Sequence, residues 1–262
     1  MIVLRSIVFN ILFYANLIGL VVFGAPLLLG NRFGIIWLAQ QWGRNSLFLL
    51  RVVCGTRVEF RGLENIPVGG FLIAPKHQSI WETFALLPFF PDFSFVLKRE
   101  LTWIPFFGWL VMRGGQMAIN RSAGSSALAQ VARNSRAYLA DGRQVFIFPE
   151  GTRRPIGSKP EYKFGIAHVY SDTGARCLPV ALNAGLFWPR RSFLRRPGTV
   201  LVQFLPVIEP GVEKAAFLTL LQSQLEAATN ALIAESVAAD ASLAQMLPPD
   251  HPLRQKMAAA GE

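Results

Sequence analysis

The sequence predicts an α/β fold, a mixed and largely buried sheet flanked by helices, behind a hydrophobic helical region at the N-terminus. Three observations carry this reading. Short runs rich in Val, Ile and Phe alternate with longer helix-like stretches through most of the 262 residues, the pattern of a sheet covered by helices. Hydrophobic residues make up 52% of the chain and charged residues only 16%, which is apolar for a soluble protein. Residues 6–30 contain no charged side chain at all.

The uncharged stretch comes first in the chain. About 20 apolar residues suffice to span a bilayer, and the segment exceeds the ~7–15-residue apolar core of a signal peptide. Pro26 and the glycines Gly19, Gly24 and Gly30 interrupt a straight helix. A single span therefore competes with a re-entrant pair that runs on to Ile35-Ile36-Trp37-Leu38. Arg32, Arg44 and Arg51 follow the segment and Arg5 precedes it, an asymmetry that favours a cytoplasmic body. The expected organisation is a membrane-associated helical region at 1–55, one compact domain at 56–247, and a flexible tail at 248–262.

Within the domain, strands are expected at 57–61, 71–75, 93–97, 116–119, 145–148, 177–183 and 199–205. Helices are expected at 80–89, 125–140, 164–171 and 213–239. The third-last of these is marked by Ser122 and Ser125 before an apolar face of Leu128, Val131, Ala132 and Leu139, and is ended by Asp141-Gly142. No internal repeat is present.

Lys and Arg outnumber Asp and Glu, giving a net charge of +10, which suits an anionic partner. A nucleic acid is disfavoured, because the arginines are scattered among aromatic residues and no basic recognition motif appears. Cys54 and Cys177 are the only two cysteines and read as buried free thiols in a reducing compartment. His168 and His251 lack the spacing of a zinc site, so no metal is expected.

The chemistry concentrates in two clusters. Lys76-His77-Gln78-Ser79-Ile80-Trp81-Glu82 sets an imidazole five residues before a carboxylate. Imidazole is suited to taking a proton near neutral pH, and a carboxylate can orient it and stabilise its charged form. On one continuous helix five residues turn by ~140°, which would splay the two apart. The pair meets only if His77 lies in a strand-to-helix turn and the helix begins near Ser79. There Glu82 would also complete a capping box with Ser79, so Glu82 has a purely structural alternative. The second cluster, Phe148-Pro149-Glu150-Gly151-Thr152-Arg153-Arg154, places a glycine turn, a hydroxyl and two guanidiniums after a strand, a recipe for holding a phosphate.

Together these clusters resemble the glycerolipid acyltransferase family, most closely its bacterial 1-acyl-sn-glycerol-3-phosphate acyltransferases. Two further blocks fit in the same order. Lys98-Arg99-Glu100-Leu101 leads through Ile104-Pro105 to Ala118-Ile119-Asn120-Arg121, and Leu178-Pro179-Val180-Ala181-Leu182 is similar to the fourth block. The likeness covers roughly residues 57 to 208. Most of the family has Asp where this chain has Glu82, so the longer side chain must fold back differently to reach His77.

The resemblance implies a glycerolphosphate acyltransferase-like fold and acyl transfer from a thioester to the sn-2 hydroxyl of 1-acyl-sn-glycerol-3-phosphate, giving phosphatidic acid. It assigns His77 as general base and Glu82 as its orienting acid, as in a Ser-His-Asp triad whose serine is the substrate's hydroxyl. Lys98 is a candidate for the oxyanion of the tetrahedral intermediate. Gly151, Thr152 and Arg153 are candidates for the acceptor phosphate, with Arg121 and Lys163 as further cations and Glu150 on the glycerol backbone or bracing Arg153. The donor would be acyl-CoA or acyl carrier protein, with no tightly bound cofactor. The partners would be membrane lipids and lysophosphatidic acid, at the cytoplasmic side of a bacterial inner membrane. Alternatives are the same chemistry on another lysophospholipid or a lyso-aminolipid, and a non-catalytic lipid-binding protein. A serine hydrolase is disfavoured, since the chain has no Gly-x-Ser-x-Gly elbow. Two aromatic stretches, 103–110 and 187–196, are candidates for a lipid interface, and the first also for an acyl-chain groove.

Overall fold

The computed structural model describes residues 1–120 and 123–259. Its strands fall within two residues of those expected: β1 Thr56–Arg61, β2 Phe71–Pro75, β3 Phe93–Lys98, β4 Met117–Ile119, β5 Gln144–Phe146, β6 Cys177–Leu182 and β7 Gly198–Phe204. They form one sheet in the order β1-β7-β6-β2-β5-β3-β4. Strands β6, β2, β5, β3 and β4 are mutually parallel, whereas β7 runs antiparallel to β6 and β1 follows β7 in parallel. The sheet is mixed and largely buried, the expected fold class.

Strand β2 lies at its centre, with all five residues buried. Because side chains alternate across a strand, Phe71 and Ile73 enter one core while Leu72 and Ala74 enter the other. Strand β6 divides in the same way: Val180 and Leu182 join the first core, and Cys177 and Ala181 the second. A strand covered on both faces reads as a continuous apolar run, which is why these two were legible without alternation.

The second core is closed by α5 Gly124–Ala140, α6 Gly165–Thr173 and much of α7 Lys214–Ala239. The first is closed by α1 Ile2–Phe23, α2 Arg32–Leu49 and α3 Glu82–Ala85. The helix expected at 80–89 is thus only one turn of α-helix, followed by a 3-10 turn at Leu87–Phe89. Pro88 causes the break, since its ring and missing N–H do not fit a helix interior. Two helices were not anticipated. α4 Phe107–Arg113 lies within the aromatic run, and α8 Pro252–Ala259 lies in the expected flexible tail, where Leu253 and Met257 pack against the first core.

The N-terminal segment is a helical hairpin. α1 ends at Phe23, the chain turns through Ala25–Leu29, and α2 returns alongside. Asn45 donates to Asn16 at 3.1 Å, and the Cys54 thiol lies 3.8 Å from the Arg5 carbonyl oxygen, so the two helices run antiparallel. The hairpin is built into the domain. Ser6, Phe9 and Phe13 form a buried face on α1, and the Phe13 ring lies 5.6 Å from that of Phe84 on α3. Gly43 of α2 sits where a Cβ would come within 2.4 Å of the Phe84 carbonyl oxygen, so only glycine allows this approach. The opposite side of α1 exposes Leu4, Ile7, Ile11, Tyr14, Ile18 and Val22.

The stretch 187–196, expected at a lipid interface, turns much of its length inward, while Arg191 and Phe193 stay exposed. Phe187, Trp188 and Arg195 are buried, and the Trp188 ring meets both Phe9 and Phe13 at 5.5 Å. Arg195 lies over the Trp188 ring at 3.7 Å. It donates through its guanidinium to Asn10 Oδ1 at 2.9 Å and through its backbone N–H to Ser6 Oγ at 2.9 Å. This segment clamps α1 to the domain. By contrast, Trp103, Ile104, Phe106 and Trp109 are exposed, as a surface role for 103–110 requires.

Candidate functional site

The parallel strands bring the candidate blocks to one edge of the sheet. β2 ends at Pro75 and leads into Lys76-His77, and β5 leads into the turn from Phe148 to Gly151. β3 ends at Lys98 and β4 leads to Asn120. All four run in the same direction, so these loops share the carboxyl edge, where ligands of open α/β sheets collect.

His77 Nδ1 lies 2.8 Å from Glu82 Oε1. A carboxylate acceptor at this edge requires the Nδ1–H tautomer of a neutral imidazole, which leaves the Nε2 lone pair free. The same Glu82 oxygen accepts the Ser79 N–H at 2.8 Å, and Ser79 Oγ accepts the Trp81 N–H at 3.2 Å. His77 therefore lies in the strand-to-helix turn that its spacing requires, and Glu82, fully buried, caps that turn and orients the imidazole at once. The His77 ring stacks on Phe148 with centroids 3.9 Å apart, and Phe148 stacks in turn on Phe95 of β3 at 6.1 Å. The face of the imidazole is thus fixed as well as its Nδ1 edge.

Glu150, expected on the glycerol backbone or as a brace on Arg153, makes its hydrogen bonds here to Lys76 and His77. It is buried beneath the imidazole, where Oε2 accepts the His77 backbone N–H at 2.6 Å and Oε1 accepts from Lys76 Nζ at 2.7 Å. Burial pushes its carboxyl above the usual range, against the pull of Lys76 and the His77 N–H. On the other side of the turn, the Arg154 N–H donates to the His77 carbonyl oxygen at 2.7 Å, and the Arg154 guanidinium pairs with Glu161. Both backbone groups of His77 are therefore held by the 148–154 block.

Around this centre the remaining candidates divide. Gly151 adopts φ +66°, and its N–H closes the turn by donating to the Phe148 carbonyl oxygen at 3.0 Å, so its backbone serves the turn. Thr152 and Arg153 are exposed, and Arg153 makes no ion pair among the described residues. Lys163 is tied to Pro149 through its backbone N–H at 2.8 Å and pairs with Glu161 at 2.6 Å. Lys98 is exposed at the end of β3 and makes no contact with His77 among the described residues. Arg121 lies outside the described residues. Sequence reasoning passed over Lys76, Phe148 as a stacking partner, and Glu226. Only the neighbourhood of Lys76 and Phe148 to His77 and Glu150 could have signalled the first two, and nothing local signals Glu226.

Comparison with known proteins bears on the same blocks. A family model described as Acyltransferase matches residues 57–183. The chain is 41% identical over 199 residues to the 1-acyl-sn-glycerol-3-phosphate acyltransferase of Pseudomonas aeruginosa, covering 76% of this chain and 77% of that one. It is 26% identical over 168 residues to the human 1-acyl-sn-glycerol-3-phosphate acyltransferase alpha, covering 63% of this chain and 59% of that one. The crystal structure of the 1-acyl-sn-glycerophosphate (LPA) acyltransferase of Thermotoga maritima superposes with a TM-score of 0.70 at 21% identity, over 88% of this chain and 99% of that one. That likeness establishes the fold.

The buried charges under His77 generate a test of stability. Lys76 Nζ pairs with Glu150 at 2.7 Å and with Glu226 at 2.6 Å. Lys76→Met leaves two carboxylates without their cation and is expected to cost about 3–5 kcal/mol near neutral pH. Glu150 has a raised carboxyl in the fold, so its contribution to stability is present at low pH and lost as pH rises through the folded value. The deficit of Lys76→Met should therefore shrink as the medium is acidified. Urea unfolding of both proteins across a pH series checks this, and a deficit that grows on acidification contradicts it.

Proposed function

Because the chain belongs to the acyltransferase family, we propose that it transfers an acyl group from a thioester to the sn-2 hydroxyl of 1-acyl-sn-glycerol-3-phosphate, giving phosphatidic acid. The observation that carries this reading is the imidazole of His77, held through Nδ1 by buried Glu82 at 2.8 Å with Nε2 left to act as a base. The activity for which the bacterial and human relatives are named supports the choice of acceptor.

In the proposed reaction, Nε2 takes the proton of the acceptor hydroxyl as its oxygen attacks the thioester carbonyl carbon. Glu82 stabilises the resulting imidazolium, and the tetrahedral oxyanion forms beside cationic or backbone donors, for which exposed Lys98 is the candidate. Collapse breaks the carbon–sulfur bond, and the departing thiolate recovers the proton from His77. No covalent acyl-enzyme and no tightly bound cofactor is needed. The donor is acyl-CoA or acyl carrier protein. Arg153, exposed beside the catalytic turn, offers a planar fork for the acceptor phosphate, with Lys163 and Arg121 as further cations. In this reading Glu150 supports His77 through its backbone N–H.

The reading also includes a membrane. α1 is the one helix among the described residues that is long and apolar enough to cross a bilayer. Since one face of it is packed into the domain, the exposed face is the part proposed to enter lipid, with the domain on the cytoplasmic side of the inner membrane.

Two substitutions test the catalytic pair. His77→Ala should lower acyl transfer to lysophosphatidic acid by about 10²–10⁴-fold. Glu82→Gln keeps an acceptor for the Ser79 N–H, so it should lose most turnover with little change in melting temperature; unchanged turnover would reduce Glu82 to a cap.

Arg153→Ala should raise the apparent KM for lysophosphatidic acid far more than that for the thioester, and Arg153→Lys should restore only part of the loss. An equal effect on both substrates would move Arg153 out of the acceptor site. A panel of other lyso-acceptors, assayed with each thioester donor, tests the choice of acceptor and donor directly.

Full-length protein should sediment with membranes and resist release by high salt or alkaline carbonate. Ile11 and Ile18 are exposed on α1, so the pair Ile11→Glu and Ile18→Glu should weaken attachment while leaving turnover on detergent-dispersed acceptor near that of the parent. Equal sedimentation of parent and variant would remove this face from the lipid contact.

A further inference from the structure

One buried cation joins the catalytic turn to a helix far along the chain. Lys76 immediately precedes His77, and its side chain is 7% exposed. Its Nζ sits between Glu150 Oε1 at 2.7 Å and Glu226 Oε1 at 2.6 Å. Glu226 belongs to α7, outside the residues 57–183 that the family model matches. Its same oxygen accepts the Tyr162 hydroxyl at 2.9 Å, and the Tyr162 ring lies 5.4 Å from Lys76 Nζ.

We propose that Glu226 is a positioning residue for the acyl transfer: it holds Lys76 against Glu150 and thereby fixes the backbone, and the imidazole direction, of His77. The proposal rests on the function given above. Its mechanical basis is that Glu150 is shared. One of its oxygens takes the Lys76 ammonium and the other takes the His77 N–H at 2.6 Å. An ammonium with a single carboxylate partner can swing about it; a second partner on a rigid helix leaves it one position. Any slack in Lys76 then passes to His77 twice, through the adjoining peptide bond and through Glu150.

Stability alone does not account for this arrangement. Two carboxylates and one ammonium gathered out of water are often no better than apolar residues of the same volume. Here they line a cavity of about 170 Å³ with Thr229 and His251, so Glu226 keeps some solvent and a 19% exposed side chain. The cluster is placed where a misalignment of the base costs most, since a shift of ~1 Å at a reacting group can cost about a hundredfold in rate. Burial beside Glu226 keeps the Tyr162 hydroxyl protonated by raising its pKa.

The test uses full-length protein in detergent with lysophosphatidic acid and an acyl thioester. Glu226→Gln keeps the size and an acceptor for Lys76 but loses the charge. It should lower kcat about tenfold while both KM values stay within about twofold, and Glu226→Asp should recover part of the loss. Amide hydrogen exchange at His77 should quicken in Glu226→Gln. Tyr162→Phe, a milder change that removes only the hydroxyl, should lower kcat in the same direction by less. A fall in melting temperature with kcat and His77 exchange unchanged would make Glu226 merely structural and overturn the proposal. If the parent protein does not acylate lysophosphatidic acid, the proposed function fails instead; His77 exchange still decides the mechanical link, and exchange unaffected by Glu226→Gln overturns it.

Discussion

A single carboxylate oxygen organises the centre of this protein. Glu82 Oε1 accepts the His77 Nδ1 and the Ser79 N–H, each at 2.8 Å. The first bond sets the imidazole tautomer and the second sets the turn that carries the imidazole. These tasks compete only if they need different positions of the side chain, and here they need the same one. The glutamate, longer by one methylene than the aspartate usual in the family, reaches both donors from the first residue of α3. Folding the turn therefore fixes the imidazole, so the base proposed for the reaction is pre-organised before any substrate arrives.

The sheet supplies the second condition. Since β2, β5, β3 and β4 are parallel, loops separated by dozens of residues emerge at one edge. A hydrogen bond from the His77 N–H to Glu150, 73 residues later in the chain, is the local consequence of adjacency between β2 and β5. Burial of Glu150 strengthens its bonds to Lys76 and His77, because few other donors compete for it and water is excluded.

Most of the sheet was legible in the sequence because its strands are short apolar runs bounded by turn residues, and β2 and β6 are buried on both faces. The His77–Glu82 geometry was legible too, since five-residue spacing excludes a continuous helix and leaves the turn. What escaped is long-range or contrary to composition. Glu226 meets Lys76 across 150 positions, and no periodicity on α7 marks it. In 187–196, rings interleaved with arginines read as a lipid surface, yet Trp188 and Arg195 went inside. Stacking at 3.7 Å, the Ser192 and Leu194 carbonyl oxygens and Asn10 hold Nη1 and Nη2 of the buried guanidinium, while its Nε has no hydrogen-bond partner among the described residues, and burial lowers its pKa to about 10. α4 was hidden by Gly108, which weakens a helix on propensity but is required where a Cβ would come 2.1 Å from the Thr102 carbonyl oxygen.

The clamped hairpin couples the apolar N-terminus to the turn that carries His77. Phe13 of α1 packs on Phe84, two residues beyond Glu82, and Trp188 touches Phe9, Phe13 and Phe84 at 5.5–5.8 Å. Large rings bury about 150–250 Å² each, so lifting the hairpin away would uncover the wall against which α3 is built. One face of α1 therefore belongs to the protein core while the other remains apolar and exposed. If α1 enters lipid as proposed, a freely mobile helix would let the carboxyl edge of the sheet sample many heights and tilts above that surface. A helix packed against the one that carries Glu82 fixes the relation, because any force on α1 is transmitted through Phe13 and Phe84 to the turn holding His77.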